Sequence, residues 1–337
     1  MGNYLLRRLL QAVPLLFLLS IFFFALVNIV PGGPLAGYGR SKHIRPEKVE
    51  GLKRQLGLDQ PLPVQYLIWL VGNDWMPPLD LDGDGLAESR GTRRGVLRGD
   101  FGFSFTSRRP VLEEIGARVP NTLYLMSITL AVALLAALPI GILSAVRQYS
   151  FFDIALTTFS FAGQAIPEFW LGLILIMVFY STLSILPSGG MYTVGAPFSL
   201  GDRLSHLVLP VTAGAVGWVA WYSRFLRSSM LDVIHQDYIR TARAKGLSEL
   251  TVMIRHALPN ALAPLVTILS LDLPYLFAGA VFVETIFAWP GMGRLYYQAA
   301  RDRDYPMLMA LLMITAAVMW LSTVSYTHLT LPTIYSV

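Results

Sequence analysis

The sequence predicts an all-α membrane protein with six transmembrane helices. Hydrophobic residues make up 54% of the 337 residues and charged residues only 14%, a balance typical of integral membrane proteins rather than of large soluble domains. The mean hydropathy of +0.55 agrees with this class. Six apolar runs are long enough, or nearly so, to cross the roughly 30 Å hydrocarbon core of a bilayer as helices.

The first apolar run covers residues 9–30, about 22 residues, which span a bilayer at roughly 1.5 Å per residue. Arg7 and Arg8 immediately before it favour a cytoplasmic N-terminus. A cleaved signal peptide is the alternative, but this run exceeds the roughly 7–15 apolar residues of such leaders. The following sequence, NIVPGGPLAG, also has no clear small-x-small cleavage site. We therefore predict an uncleaved first span.

Five further runs complete the predicted topology, at residues 121–146, 154–186, 204–226, 261–283 and 307–323. From an internal N-terminus, alternation places residues 41–118, 187–203 and 284–305 outside, and residues 147–153 and 227–259 inside. As the positive-inside rule requires, the short inside loops and their edges are basic, with Arg147, Arg224, Arg227, Arg240, Arg243, Lys245 and Arg255. The third run is too long for one untilted span and contains Pro167, which indicates either a bent span or an interfacial helix followed by a span.

Composition and motifs argue against several other classes of protein. The net charge of +5 is compatible with nucleic-acid binding, but basic loops that stay inside a membrane account for it better. The absence of cysteine excludes disulfides, thiolate catalysis and cysteine metal sites. The sequence has no H-E-x-x-H, G-x-S-x-G or Walker A pattern, and its five histidines are scattered. An intramembrane enzyme or sensor would need a paired catalytic constellation, which the sequence lacks, so catalysis by this chain is not expected.

A basic segment between the fourth and fifth spans, residues 237–260, is predicted to form a helix, a turn and a second helix along the membrane face. Apolar and amphipathic residues recur at helical spacing within and just before this segment, namely Val233, Ile234, Tyr238, Ala242 and Lys245. Arg240 and Arg243 lie three apart on another face. Gly246 is placed as a C-cap or hinge, Ser248 as the next N-cap, and Pro259 where the next span begins. An idle linker and an amphipathic helix lying in lipid headgroups are the alternatives.

Two acidic residues within predicted spans are candidates for a substrate pathway. Asp272 lies near the centre of the fifth span, where an aspartate costs about 2.5–3.5 kcal/mol on insertion scales, so it should not face lipid. It either lines a pathway that attracts a cationic group or hydrogen-bonds to a neighbouring helix or partner. Glu168, beside Pro167, has the same two interpretations.

The stretch DLDGDGLAESRG places acidic side chains as in the first half of a calcium-binding loop, at Asp80, Asp82 and Asp84. The twelfth position is Gly91, where a bidentate Glu is required. A full calcium-binding loop is therefore not expected. A weak calcium site and an ordinary acidic, turn-rich loop are the two options that stay open, and no other metal site is predicted.

The basic segment resembles a known motif. Arg240, Thr241, Ala242, Gly246 and the Leu258–Pro259 pair stand at the spacing of the EAA motif of ABC importer permeases. DYIRTARAKGL and RHALPNALAP are similar to the B-type permease subunits of dipeptide, oligopeptide and nickel importers, and the likeness extends to about Leu321. Further fragments that carry it, in order, are LLRRLLQAVPLLF, GDFGFSF, VLEEIGARVPNTLYL, PEFWLGLIL, LPSGG, VETIFAWPGMGRL and RDYPML.

This resemblance implies a MetI-like permease core and a division of the chain into four parts. These are an N-terminal transmembrane helix (1–30), an external loop region (31–118), a core of five transmembrane helices with a cytoplasmic coupling loop at 227–259 (119–324), and an atypical tail (325–337). In the family the coupling loop docks on the ATPase. Carried over, the coupling residues are Tyr238, Arg240, Thr241, Ala242, Arg243, Lys245, Gly246, Leu258 and Pro259. Arg240 stands where the motif has Glu, which favours an acidic partner, and His256 replaces its Ile.

The resemblance also implies partners and a location. Expected partners are a C-type permease subunit, two cytoplasmic ATPases that hold ATP and magnesium, and an external solute-binding protein, in a bacterial or archaeal cytoplasmic membrane. This chain itself would bind no cofactor and no nucleic acid, and would import di- or oligopeptides by alternating access. The alternative is an ATP-independent transporter or channel whose basic loop only anchors to lipid.

The end of the chain departs from the family pattern. The stretch VSYTHLTLPTIYSV is rich in Thr and Ser and contains Pro332. It would shorten the last span to about 17 residues, near the minimum for crossing a bilayer. We expect this tail to be foreign or truncated, and poorly ordered or not packed as a helix.

Overall fold

Helices dominate the structure, a computed structural model that describes residues 2–29, 51, 53–54, 56–76 and 93–334, the last twelve of these as backbone only. Within the described part, the one pairing of extended backbone is an isolated bridge between Phe103 and Pro110. The candidate calcium residues Asp80, Asp82 and Asp84 lie outside the described residues. The predicted all-α class is confirmed.

The described residues form twelve α-helices, numbered in chain order, and two π-helical segments that adjoin three of them. The first six are α1 Gly2–Ile29, α2 Leu62–Val71, α3 Val111–Val146, α4 Phe151–Ala165, α5 Glu168–Leu175 and α6 Leu200–Ile234. The others are α7 Asp237–Ala244, α8 Glu249–Thr251, α9 Leu258–Ala278, α10 Val281–Ile286, α11 Met292–Asp302 and α12 Tyr305–Ile334. The π-helical segments are Ile176–Thr182 after α5 and Val252–Ala257 between α8 and α9. A short 3-10 helix covers Val96–Arg98.

Among the described residues, five helical stretches are long and apolar enough to cross a membrane, and a bent pair makes six if it counts as one span. The five lie at the predicted first, second, fourth, fifth and sixth spans, and the bent pair lies at the third. The pair is α4 and the stretch from Glu168 to Thr182, which meet at 98°. Ile166 is extended there (φ −80°, ψ 120°), because the ring of Pro167 disfavours a helical residue before it. The bend at Pro167 fits both predicted forms, a bent span and an interfacial helix followed by a span.

The chain divides into two compact units, residues 1–119 with 295–320, and residues 120–294 with 321–337. In the first unit, α1, α2 and the start of α12 share a buried cluster that contains Val27, Trp69, Tyr305 and Met309. Asp304, which is 3% exposed, accepts hydrogen bonds from the Ser104 hydroxyl and from the backbone N–H of Phe105 at 3.1 Å. Two of the fragments that carry the family resemblance, GDFGFSF and RDYPML, thus meet at one buried carboxylate.

In the second unit, α6 is the central helix: α4, α5 and α9 all pack against it. Its buried face includes Leu209, Tyr222 and Leu226. It is 35 residues long and runs to Ile234, beyond the predicted end of the span at residue 226. The extra turns carry α6 into the region where the sequence predicted the start of the basic loop.

The tail was expected to be poorly ordered or not packed as a helix, but the backbone of α12 continues as a helix from Tyr305 to Ile334. The part of α12 that is apolar enough to cross a membrane ends at Ser322 and has 18 residues, close to the predicted 17. Residues such as Thr, Ser and Tyr cost only tenths of a kcal/mol each in a helix, so a run of them does not end one. Pro332 lies in the last turn of α12, so its missing N–H removes only a hydrogen bond at the very end of the helix.

Candidate functional site

The candidate site is the short helix α7 and the turn that follows it. Gln236 is extended and precedes the first turn, which carries Asp237, while Arg243 lies in the last turn. This charge order complements the helix dipole. The helix ends where Gly246 adopts φ +77°, a left-handed conformation that favours glycine. The prediction that Gly246 ends this helix is confirmed.

One face of α7 is buried in the protein. Ile239 is 0% and Ala242 6% exposed, and both belong to a cluster that we call the α7 cluster. Its members come from the end of α3, from α6 and α7, from the stretch between α8 and α9, and from the start of α9: Ala145, Leu226, Met230, Ile239, Ala242, Val252, Met253, Ala257 and Ala261. A helix of eight residues is too short to be stable alone, so this cluster is what holds α7 in place.

The predicted inward face of this helix is only partly correct. Ala242 faces the protein as the spacing required, but Tyr238 and Lys245 are exposed. Val233 and Ile234 belong to α6, because the chain turns at residues 235–236 and restarts the helical phase. Ile239, which the sequence reading passed over, is the residue of α7 buried most deeply.

The opposite face of α7 is exposed and basic, with Tyr238, Arg240, Thr241, Arg243 and Lys245 all accessible. The Arg240 guanidinium lies 3.5 Å from the Asp237 carboxylate, and both side chains are mostly in solvent, at 74% and 95% exposed. An ion pair of this kind contributes about 0–1 kcal/mol. Partial burial raises the pKa of Tyr238, so its phenol stays a neutral hydrogen-bond donor at neutral pH. Exchanging the contact with Asp237 for one with a partner protein would therefore cost Arg240 little free energy.

The turn after α7 is closed by an ion pair and a helix cap. Arg243 donates from Nε to Glu249 Oε1 at 2.8 Å, across the left-handed Gly246. Ser248 caps the next helix, since its hydroxyl accepts a hydrogen bond from the Thr251 N–H at 3.4 Å. The predicted order of helix, turn and second helix is thus present.

The second helix leads directly into the fifth span through the π-helical segment Val252–Ala257. Leu258 is half-buried against the α7 cluster and Pro259 is exposed, in the first turn of α9. Pro259 has no N–H to donate to the carbonyl of Arg255 four residues earlier, and its ring would collide with that carbonyl. A wider turn relieves both problems, which is a physical reason for the π-helix at this position. The second helix therefore has a continuous helical connection to α9, and the turn at Gly246 joins α7 to it.

Asp272 of α9 is paired with a neighbouring helix. The buried Tyr222 of α6 donates its hydroxyl to Asp272 Oδ2 at 2.7 Å. Of the two interpretations of Asp272, the contact with a neighbouring helix is therefore present, and this contact leaves the second carboxylate oxygen to other partners. Glu168 is the first residue of α5, half-buried directly after the bend at Pro167.

A buried carboxylate cluster surrounds Glu284, a residue that the predicted topology places in an external loop. Glu284 lies in α10 and is 0% exposed; it accepts hydrogen bonds from the Thr122 hydroxyl at 2.9 Å and from the Arg294 N–H at 3.0 Å. A Cβ on Gly291 would lie 2.6 Å from the Glu284 carboxyl carbon, so only glycine fits there. The signal was an acidic residue inside the apolar run VFVETIF, followed closely by the glycines of WPGMGR.

Comparison with known families covers almost the whole chain. Residues 137–330 match the family described as "Binding-protein-dependent transport system inner membrane component". Residues 1–126 match "Binding-prot-dependent transport system membrane comp, N-term". Together these matches confirm the predicted family resemblance and a multi-pass protein of the bacterial inner membrane.

Individual relatives match along most of their length. The oligopeptide transport system permease protein AppB of Bacillus subtilis is 42% identical over 317 residues, which are 94% of this chain and 93% of that protein. A putative peptide permease of Brucella suis is 38% identical over 319 residues, 94% of this chain and 93% of the relative. The glutathione transport system permease protein GsiC of Escherichia coli K12 is 36% identical over 313 residues, 92% and 90% of the two chains.

A solved structure shows the same fold. The inward-facing MetNI methionine ABC transporter superposes with a TM-score of 0.51 at 18% identity, over 64% of this chain and 94% of that one. The predicted MetI-like fold is therefore confirmed. The chain belongs to the family of inner membrane components of binding-protein-dependent transport systems.

Proposed function

We propose that this chain is one permease subunit of an ATP-driven importer of di- and oligopeptides, and that it forms the substrate pathway by alternating access. The peptide substrate is supported by relatives named as oligopeptide, peptide and glutathione permeases, at 36–42% identity. The N-terminus lies in the cytoplasm, which places the basic loops inside in agreement with the positive-inside rule.

Within the complex, this chain pairs with a C-type permease subunit and with two cytoplasmic ATPases that hold ATP and magnesium. An external binding protein delivers the peptide. The sequence of this chain has no Walker A motif, so ATP hydrolysis belongs to the separate subunits. The exposed Arg240 and Lys245 favour an acidic groove on the ATPase as the docking site of α7.

The observation that carries this proposal is that α7 buries its apolar face in the protein. A helix that only anchors to lipid would keep its apolar face free for the headgroup region. Here Ile239 and Ala242 pack in the α7 cluster, and the polar face with Arg240 and Thr241 points away from it. This arrangement suits a helix that receives force from a protein partner and passes it to the spans as a rigid body.

Asp272 and Glu168 are the candidate pathway residues of this importer. Asp272 keeps one carboxylate oxygen beyond its hydrogen bond from Tyr222, and that oxygen is suited to a peptide ammonium group. Glu168 lies at the bend between α4 and α5, where helices reorient between inward-open and outward-open states.

The test of coupling uses the absence of cysteine in this chain. A single cysteine replaces Thr241, which is exposed, and the chain is assembled with its ATPases, one of which carries a cysteine in its docking groove. We expect a disulfide crosslink whose yield changes when ATP is added. Ala242→Cys is the matched control, since Ala242 is the next residue along the chain but is only 6% exposed, so a cysteine there should crosslink poorly.

An ATP-independent transporter or channel, with α7 lying on lipid, is the alternative that this experiment rejects or supports. If Thr241→Cys gives no crosslink in a correctly assembled complex, or if Ala242→Cys crosslinks equally well, α7 is not docked as proposed. Uptake by this chain without any ATPase would then favour the alternative.

A further inference from the structure

A partly buried ion pair joins the first turn of α4 to α6. Arg227 donates from Nε and from Nη2 to the two carboxylate oxygens of Asp153, each at 2.7 Å. The Asp153 side chain is 4% exposed and that of Arg227 24%. The hydroxyl of Ser144, in the last turns of α3, donates to the same carboxylate. Three elements of the second unit, α3, α4 and α6, thus meet at one aspartate.

The same carboxylate holds the connecting turn in an unfavourable conformation. Tyr149 has φ +62°, in the left-handed region that a residue with a side chain rarely adopts. Its ring is not what fixes this conformation, since Tyr149 is 81% exposed. Its backbone N–H donates to Asp153 Oδ2 at 2.9 Å. Backbone strain persists only where surrounding contacts determine it, and here the determining contact is the Asp153 carboxylate.

This polar cluster lies directly beside the α7 cluster. Ser144 precedes Ala145 and Arg227 follows Leu226, and Ala145 and Leu226 are both members of the α7 cluster. The same ends of α3 and α6 that surround Ile239 of α7 are therefore fastened to the start of α4 by Asp153. A buried ion pair is weak evidence for stability, because the cost of removing both charges from water offsets their attraction. A role in fixing relative position accounts for it better.

A displacement at Asp153 can reach the bent span through close contacts between α4 and α6. Along α4, the Ser160 hydroxyl lies 3.3 Å from that of Ser223 on α6. At Gly163, an added Cβ would lie 3.2 Å from Val216 Cγ1, so the two helices are in close contact there. Beyond Ala165 the chain turns by 98° into α5. Movement at the α7 end of α6 therefore reaches α4 and α5 as well as α9.

We propose, on the basis of the function proposed above, that Asp153 is a positioning residue for energy coupling. Through Arg227 it fixes the start of α4 to α6 beside the α7 cluster, so that force received by α7 moves the bent pair α4–α5 together with α9. Without this ion pair, ATP hydrolysis continues on the partner subunits, but α4 and α5 no longer follow α7.

The test reconstitutes the complete importer in proteoliposomes and measures ATP hydrolysed per peptide imported, together with the yield of assembled complex. Asp153→Asn keeps the size of the side chain and removes its charge. We expect assembled complexes that hydrolyse ATP, with import per ATP lowered at least about fivefold, as for an ordinary coupling interaction. Arg227→Lys keeps the charge but loses the two-pronged contact, and should give a smaller loss in the same direction. A purely structural role would lower the yield and leave the ratio unchanged.

The matched control is Asp74→Asn. Asp74 also forms a two-pronged contact, with the two Nη atoms of Arg98, of which Nη1 lies 2.8 Å from Asp74 Oδ2. This pair is more exposed and belongs to the first unit. Its removal should leave import per ATP unchanged. If Asp153→Asn assembles and imports as much peptide per ATP as the wild type, the positioning role is refuted and the proposed function is not. If Asp153→Asn does not assemble, the same result in Arg227→Lys refutes the positioning role. Import by the wild-type complex that does not depend on ATP would instead refute the proposed function, and this inference with it.

Discussion

The burial of Ile239 predicts that one substitution will release α7 while the spans stay folded. Ile239 and Ala242 are the buried residues of this eight-residue helix, and Ile239 is 0% exposed. Ile239→Ala removes most of the apolar contact between α7 and its cluster. Truncations of this kind in a packed core cost about 2–5 kcal/mol. Because a helix this short has little stability of its own, the loss should appear mainly as local detachment of α7.

The magnitude follows from the relation between free energy and the population of the opened state. A loss of about 2–5 kcal/mol, at roughly 1.4 kcal/mol per tenfold change, raises that population by about 30-fold to a few thousand-fold. Amide exchange in the last turn of α7 should accelerate by the same factor. Suitable reporters are the Lys245 and Gly246 N–H groups, which donate to Thr241 and Arg243 carbonyls at 3.1 and 2.9 Å.

The assay is hydrogen exchange followed by mass spectrometry on the assembled complex, with ATP-driven peptide uptake measured in parallel. Tyr238→Ala is the matched control, since that side chain is 44% exposed and its loss should change exchange by only about twofold. In Ile239→Ala, uptake should fall while membrane insertion is unchanged. Equal exchange in the two variants would refute the reasoning, because α7 would then not depend on its buried face.

Three further predictions concern the turn after α7, the buried carboxylate cluster at Glu284, and Asp272 in the fifth span. Gly246→Pro should leave membrane insertion intact and uncouple uptake from ATP hydrolysis, because proline cannot adopt φ +77°; normal uptake would reject the turn as a coupling element. Glu284→Ala should lower the melting temperature of the complex, since each donor left unpaired, from Thr122 and Arg294, costs about 1–3 kcal/mol; an unchanged melting temperature would contradict this. Asp272→Asn should keep the hydrogen bond from Tyr222 and the yield of complex, yet reduce uptake of cationic peptides; unchanged uptake would remove Asp272 from the pathway.

The spans and the basic helix could be predicted from local sequence, because each depends on a pattern within one segment. Apolar runs long enough for a bilayer correspond to the helical stretches that could cross one, and Gly246 ends α7 because its conformation is set locally. The break at Pro167 also has a local cause, in the steric effect of proline on the residue before it.

What the local sequence could not reveal is which distant residues meet. The contact of Tyr222 with Asp272, and that of Thr122 with Glu284, join residues separated by 50 and 162 positions. The inward face of α7 was assigned incorrectly because Val233 and Ile234 were counted with it, whereas α6 continues to Ile234 and α7 begins only at Asp237. Which residues share a face of a helix depends on where that helix begins. The tail was misjudged for a different reason, since a preference against helix of tenths of a kcal/mol does not decide where a helix ends.

The central claim is that this chain imports peptides only when α7 is driven by ATP hydrolysis on partner subunits. The most direct measurement places the purified chain in proteoliposomes, alone and with its partner permease, ATPases and binding protein, and follows uptake of a labelled dipeptide with and without ATP. We expect uptake by the complete complex with ATP and none by the chain alone. Uptake by the chain alone, or uptake by the complex at the same rate without ATP, would contradict it.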